Sequence, residues 1–282
     1  MIQPIPRRRR PIAPLLAEPR YEVLPLPAVL DQTAALPPGS VVTVTASPRQ
    51  GTAATIDLAE HLAAQGMRAV PHIAARQVSD RAELAAILDR LEAAAINEVF
   101  VVGGDQPAPA GAYADGLALL RDMAELDRLP ARIGVPSYPE GHWAIDGPAL
   151  WDSLRSKQDF ATYTVTQLCF DADAICRFTI EARENGVTLP VVAGVPGAVD
   201  AARLLRISMR IGIGQSIRFV RGHRSVAGRL LRPGGYRPDG LLRKLATRMG
   251  EGRCELGGLH FYTFNRVGAT ARWVGQAHRR AA

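Results

Sequence analysis

Gly258-Leu259-His260-Phe261-Tyr262-Thr263-Phe264-Asn265-Arg266 is the stretch on which the reading of this chain turns. It is apolar for most of its length and then turns polar, with Tyr, Thr, Asn and Arg gathered toward its C-terminal end. A strand with one wet face alternates; this pattern buries nearly every side chain and becomes chemical only where it stops. Strands of that kind belong to parallel sheets covered on both faces. In α/β barrels the C-terminal ends of such strands carry the active site.

Outward from this stretch, seven more strand-like runs precede it, at 21–24, 41–45, 69–73, 98–102, 132–136, 162–168 and 189–195, before the last at 258–263. Helical patterns lie between most of them. Ser79 is read as a cap and Glu83 as a first-turn acid, ahead of Leu84, Ile87, Leu88 and Leu91 at helical spacing. Residues 115–126 and 171–184 read the same way. Eight βα units in one chain of 282 residues predict an α/β fold of the (β/α)₈ barrel class, a single domain for which about 250 residues is typical. A doubly wound open sheet gives the same local pattern, and spacing alone does not separate the two.

The expected organisation is a basic N-terminal tail over 1–18, loosely attached and carrying Arg7 to Arg10, followed by a barrel over 19–282. One segment breaks the rhythm. Between the seventh and eighth strands, 201–253 is dense in arginine (Arg221, Arg224, Arg229, Arg232, Arg237, Arg243, Arg248 and Arg253, with Lys244) and is punctuated by Pro233-Gly234-Gly235 and Pro238-Asp239-Gly240. Its end, 241–249, is read as the final outer helix. The segment is either a solvated outer face or a set of cations that reach the barrel mouth.

Hydrophobic content of 47% and charged content of 22% are those of a soluble globular protein, and no apolar run reaches the roughly 20 residues that span a bilayer. The expectation is a cytoplasmic protein with no membrane partner. Cys169, Cys176 and Cys254 form an odd set without metal-like spacing, which predicts a reducing compartment and no disulfide framework. A net charge of +7 points to anionic partners. Without an RNA-binding signature or a recognition helix, these are read as small anions rather than nucleic acid.

Polar groups recur at the strand ends: Glu22, Thr45, His72, Gly103-Gly104-Asp105, Tyr138 with His142, Gln167, and Tyr262 with Arg266. Gly-Gly-Asp fits a tight turn with a helix cap as well as it fits a phosphate loop. Glu22 sits among Tyr21, Val23 and Leu24. Burial there raises a carboxyl pKa and suits a general acid; the alternative is a Glu paired with an Arg elsewhere on the barrel. Asp105 suits acceptance of hydrogen bonds from a ring or ribose, and Gln167, donor and acceptor at once, suits an amide-bearing heterocycle.

These residues, taken in order, resemble the methylenetetrahydrofolate reductases. Tyr21-Glu22-Val23-Leu24-Pro25 is similar to that family's opening Phe-Glu-Phe-Phe-Pro, and the opening stretch above to its closing His-Phe-Tyr-Thr-Leu-Asn-Arg. Between them, Val42-Thr43-Val44-Thr45, Val70-Pro71-His72, Gly103-Gly104-Asp105, Ala112-Tyr113-Ala114-Asp115, Ser137-Tyr138-Pro139-Glu140-Gly141-His142, Arg155-Ser156-Lys157 and Thr166-Gln167-Leu168-Cys169-Phe170-Asp171 resemble successive family elements. The resemblance implies an enzyme that reduces 5,10-methylenetetrahydrofolate to 5-methyltetrahydrofolate, with NADH or NADPH as hydride donor and FAD as the cofactor between them. Glu22 and Asp105 are then catalytic. FAD falls to Thr45, His72, Gly104, Asp105, Tyr113, Ala114, Tyr138, His142, Arg155 and Lys157, and the folate to Gln167, Gln215, Phe219, Tyr262 and Arg266. The partners implied are the folate and the nicotinamide nucleotide, and a homo-oligomer is admitted.

Three departures stand out. Gly103 replaces a family Arg at the flavin diphosphate, Val23 and Leu24 replace paired aromatics, and Phe264 replaces a Leu. Loss of one charge-assisted phosphate contact weakens binding by roughly 1.5–3 kcal/mol, so FAD is expected to be held less tightly. Beside the main reading stand a flavin-independent form of the reaction, a paralogue that oxidises 5-methyltetrahydrofolate, and a non-catalytic folate- or flavin-binding protein. The retained Glu22 speaks against the last.

Overall fold

The computed structural model describes residues 13–26, 28–199 and 235–281. Eight parallel strands close into one barrel in chain order. They are β1 Arg20–Val23, β2 Val41–Val44, β3 Arg68–Ala74, β4 Glu98–Val102, β5 Arg132–Ser137, β6 Tyr163–Thr166, β7 Val191–Pro196 and β8 Gly258–Tyr262. Pairing of β8 with β1 sets Arg20 beside His260 and Glu22 beside Tyr262. An open sheet would leave both strands as edges, so the doubly wound rival is excluded.

Around the barrel lie α1 Ala13–Ala17, α2 Val29–Thr33, α3 Gly51–Ala64, α4 Arg81–Ala93, α5 Gly116–Glu125, α6 Gly147–Lys157, α7 Ala172–Glu184, α8 Asp239–Gly250 and α9 Val267–Ala281. Four of them start alike. Asp80, Asp115, Asp146 and Asp171 each accept a backbone N–H of the first turn of α4, α5, α6 and α7. The cap of α4 is therefore Asp80 rather than Ser79. Ser79 donates instead, through its N–H and hydroxyl, to Glu83 Oε2 at 2.7 and 2.6 Å.

Two apolar layers follow from strand alternation. Tyr21, Val23, Val42, Val44, Val99, Val101, Ile133, Val135, Leu259 and Phe261 point outward and pack under the helices. Val41, Val70, Phe100, Tyr163, Val165 and Val192 come from five strands and pack on one another, as inward-facing side chains of a closed barrel do. Gly134 makes room for that inner packing: a Cβ there would lie 2.5 Å from the rings of both Phe100 and Tyr163.

Two expectations need correction. The ordered body begins before residue 19: Ala13–Ala17 is helical, packs on α9 and β8, and buries Leu16. Residues 13–18 thus belong to the barrel's surface, because the apolar Leu15-Leu16 pair gives them something to bury. Arg7 to Arg10 lie outside the described residues. The cysteines also behave differently. Cys176 on α7 and Cys254 before β8 are joined as a disulfide with Cα atoms 4.7 Å apart, while Cys169 is a buried free thiol. The partners are 78 residues apart, so the fold and not a spacing motif brings them together.

Of the arginine-dense segment, Arg221, Arg224, Arg229 and Arg232 lie outside the described residues. Arg248 pairs with Asp173 at 2.8 Å and so ties α8 to α7, a structural role. No helix among the described residues is long and apolar enough to cross a membrane.

Candidate active site

At the C-terminal end of the barrel, inward-facing Glu22, Thr43, His72, His260 and Tyr262 crown the inner apolar layer. Alternation forces them inward, since their strand neighbours Val23, Val42, Ile73 and Phe261 sit in the outer core. Glu22 Oε2 lies 3.0 Å from His260 Nε2, and the two side chains are 13% and 2% exposed. Burial drives the Glu22 carboxyl up to about 7, against a smaller opposing pull from His72. Burial drives the two imidazoles the other way. His72 is pushed down to about 4 and His260 to about 3, the latter also repelled by Arg20. A carboxyl that holds its proton about half the time near pH 7 and two neutral imidazoles therefore share a buried pocket. The alternative reading of Glu22, as half of an ion pair with an arginine, is not what forms: its partner is His260.

The polar end of the decisive stretch turns out to be a seam as well as a site. Thr263 Oγ1 donates to the Glu22 carbonyl. Asn265 grips Leu24 twice, accepting its N–H at 2.8 Å and donating to its carbonyl at 3.0 Å. To reach β1 in this way the chain takes left-handed backbone at Phe264 and Asn265, with φ of 50° and 56°, a conformation that side chains pay for. The β8 end thereby fixes the backbone that follows the Glu22 side chain.

On the opposite side the mouth is more open. Tyr138 and His142 stack edge to face at 4.9 Å. Burial and the Asp105 carboxylate push the Tyr138 phenol up to about 12. Burial holds the His142 imidazole below its ordinary value, against Asp105. Asp105 itself is exposed, and Gly104 before it takes the left-handed backbone that favours glycine, with φ of 95°. Tyr262 faces the axis, its hydroxyl on the Thr166 carbonyl at 3.3 Å; burial, then Glu22, raise its pKa well above the usual value. Gln167, past the end of β6, is exposed, and its Oε1 accepts the Leu168 N–H. Thr45 donates to the Val23 carbonyl at 3.2 Å. Arg266 is exposed and opens onto a separate cavity of about 270 Å³, lined also by Val199, Tyr236, Arg237, Arg272 and Trp273. Gln215 and Phe219 lie outside the described residues.

Residues expected around a flavin divide into two groups. Thr45, His72, Asp105, Tyr138 and His142 sit at strand ends around the mouth, and His72 Nε2 is buried without a partner among the described residues. The others are committed elsewhere. The buried Tyr113 hydroxyl donates to Asp122 Oδ2 at 2.6 Å, and the Ala114 carbonyl accepts from Arg76 Nε at 2.9 Å. Arg155 is held by Asp152 and the Asn185 carbonyl. Lys157 donates to Ser153 Oγ at 2.8 Å, and burial lowers its pKa against the pull of Asp115. Among the described residues these groups are thus engaged within the protein, and Gly103 supplies no cation.

Sequence reading passed over three groups. His260 was quoted but given no role. Arg76 organises the loop after β4, reaching the Gln106 carbonyl at 2.7 Å as well as Ala114. Arg20 and Glu98 form a buried ion pair of 2.7 Å across the barrel, Arg20 lying 4.4 Å over the Tyr163 ring. The signal for the last was available: Arg20 stands two residues before Glu22 and shares its inward face.

A closed eight-stranded parallel barrel with an acid at the end of its first strand defines the class, a (β/α)₈ enzyme scaffold. The chain belongs to the methylenetetrahydrofolate reductase family, whose model matches residues 26–216. Glu22 and the β8 stretch lie outside that span. Among solved structures, active domain 2 of a chitinase from Pyrococcus furiosus, studied as catalytic site mutants, is similar with a TM-score of 0.51 and 8% identity, covering 94% of this chain and 96% of that one. A chitinase from Rhizomucor miehei has a TM-score of 0.47 and 9% identity, covering 91% and 99%. At 8% identity the first likeness speaks to the barrel fold alone, and nothing is drawn from the second.

Proposed function

We propose that the chain reduces 5,10-methylenetetrahydrofolate to 5-methyltetrahydrofolate with hydride from NADH or NADPH, and that Glu22 is its general acid. The observation that carries this is the buried Glu22 carboxyl at the C-terminal end of β1, raised to about 7 so that a large share stays protonated near neutral pH, and bonded to His260. The five-membered ring opens when its leaving nitrogen takes a proton from Glu22. That leaves an iminium whose methylene carbon accepts hydride, and the product is the methyl group. Asp105 and Gln167 orient the pterin from the open side, while the neutral imidazoles and Tyr262 keep that end of the mouth dry and uncharged.

A flavin, when bound, would relay hydride between nicotinamide and folate. The engagement of Tyr113, Ala114 and Arg155, together with Gly103, favours the second reading, direct transfer from nicotinamide to folate. The two are separated by the absorbance of the purified protein and by FAD titration during turnover. Direct transfer predicts a colourless protein whose rate does not change with added FAD. Gly103 has space for a side chain, since nothing lies within 4 Å of a Cβ built there. If a yellow protein is obtained, and Gly103→Arg retains more flavin, the flavin-dependent form is the correct one. Absence of NAD(P)H-dependent folate turnover in either case removes the reductase reading altogether.

A further inference from the structure

The group best placed to govern the Glu22 carboxyl lies on the neighbouring strand. His260 belongs to β8, packs beside β1 in the register Arg20↔His260 and Glu22↔Tyr262, and aims Nε2 at the Glu22 carboxyl across 3.0 Å. Its other nitrogen, Nδ1, is buried without a partner among the described residues. The imidazole thus has one polar contact, and that contact is the acid. Below it, Arg20 is fixed by Glu98 at 2.7 Å and by the Tyr163 hydroxyl at 3.2 Å, within an ion pair whose side chains are 8% and 9% exposed. Above it, the Tyr262 ring meets the His260 ring edge to face at 4.9 Å.

We propose that His260 is a positioning residue that holds the Glu22 carboxyl in both of its protonation states, and that burial, reinforced by the Arg20 charge beneath, keeps the imidazole uncharged so that it can do so. A neutral imidazole serves either way. Its Nε2–H tautomer donates to the carbonyl oxygen of the protonated acid and equally to the carboxylate left after proton delivery, so no proton has to move on the ring. A charged imidazolium would pin Glu22 as a carboxylate and abolish the acid. The charge of Arg20 disfavours that state. The other groups around the pair are His72 from β3 and Tyr262 from β8, with Tyr138, just past β5, against Tyr262, and with Tyr163 of β6 and Glu98 of β4 on Arg20. All three of these groups are neutral near pH 7, so burial first and the Arg20 charge second keep His260 neutral.

The inference rests on Glu22 as the acid but is tested without substrate. The Glu22 titration is followed in the intact chain by infrared difference spectroscopy of its carboxyl band, assigned by its loss in Glu22→Gln. His260→Gln supplies both a donor and an acceptor and should leave the midpoint within about half a unit of the parent. His260→Leu removes the contact, and His260→Asn is too short to make it. Both should move the midpoint upward by about one unit or more, because the carboxylate loses its hydrogen bond in a dry pocket. In turnover, the same two variants should lower kcat about tenfold with KM nearly unchanged and shift the basic limb of the pH profile upward. The double variant Arg20→Met/Glu98→Leu, which leaves no buried charge unpaired, should shift the midpoint downward instead. A parent-like midpoint in whichever of His260→Leu and His260→Asn folds overturns the inference, as does a shift in His260→Gln as large as theirs. A chain that titrates as expected but turns over no folate would remove the reductase reading and leave this one intact.

Discussion

The two sides of the barrel mouth are built on opposite principles. Along the β1–β8 seam, Glu22, His260, Thr263 and Asn265 are almost fully enclosed and bonded to one another or to adjacent backbone. Across the mouth, past β4, β5 and β6, Asp105 and Gln167 are exposed, and Trp143 beyond them is 67% exposed. Under the proposed function the enclosed seam holds a carboxyl away from water and the open side admits the substrate. Proton chemistry and substrate admission then fall to different strands, and each can be disturbed separately.

The largest effect is expected at the seam. Glu22→Gln should lower folate turnover by at least about a hundredfold while the circular dichroism and melting cooperativity stay those of the parent. Turnover within a few-fold of the parent would mean that the seam is a structural device and the acid lies elsewhere. Asn265→Ala removes two buried backbone partners and should cost about 2–3 kcal/mol in denaturant unfolding. If stability is unchanged, the β8 end does not clamp β1, and the rigid side of the comparison fails.

Stability against pH sharpens the contrast further. The Glu22 carboxyl titrates near 7 in the folded chain and in the ordinary carboxylate range when unfolded, so between those values the folded state binds the extra proton and stability falls as pH rises. His72 and His260, pushed down to about 4 and about 3, do the reverse: the unfolded chain takes up protons first, and stability falls as pH drops below about 6.5. Glu22→Gln should therefore be more stable than the parent at pH 8 and show little gain at pH 4. Parallel stability curves for the two proteins across that range would show that Glu22 is not desolvated. The smallest effect belongs to the open side. Asp105→Asn should raise the KM for the folate by roughly three- to tenfold, with a smaller change in kcat and almost none in stability, as an exposed hydrogen-bonding contact would. A kcat loss as deep as that of Glu22→Gln would move Asp105 from recognition into the chemistry.

Much of this architecture was legible in the chain. The eight apolar runs set the strands because a parallel strand buried on both faces has to be apolar throughout, and the aspartates before α5 and α7 marked helix starts because a first turn leaves N–H groups unpaired. Glu22 was visible as a carboxyl without polar neighbours. The sequence could not say that β8 closes on β1, since closure is a property of the whole sheet and an open sheet has the same local pattern. Nor could it place His260 against Glu22, 238 residues away, or Cys254 against Cys176. Tyr113 and Arg155 match family wording, but which way their side chains turn depends on Asp122, Asp152 and Asn185, which the motif does not include. Residue type and spacing fix what each strand can bury. Which buried groups meet, and hence the pKa of the acid and the state of its neighbours, is decided only when the barrel closes and excludes the water between them.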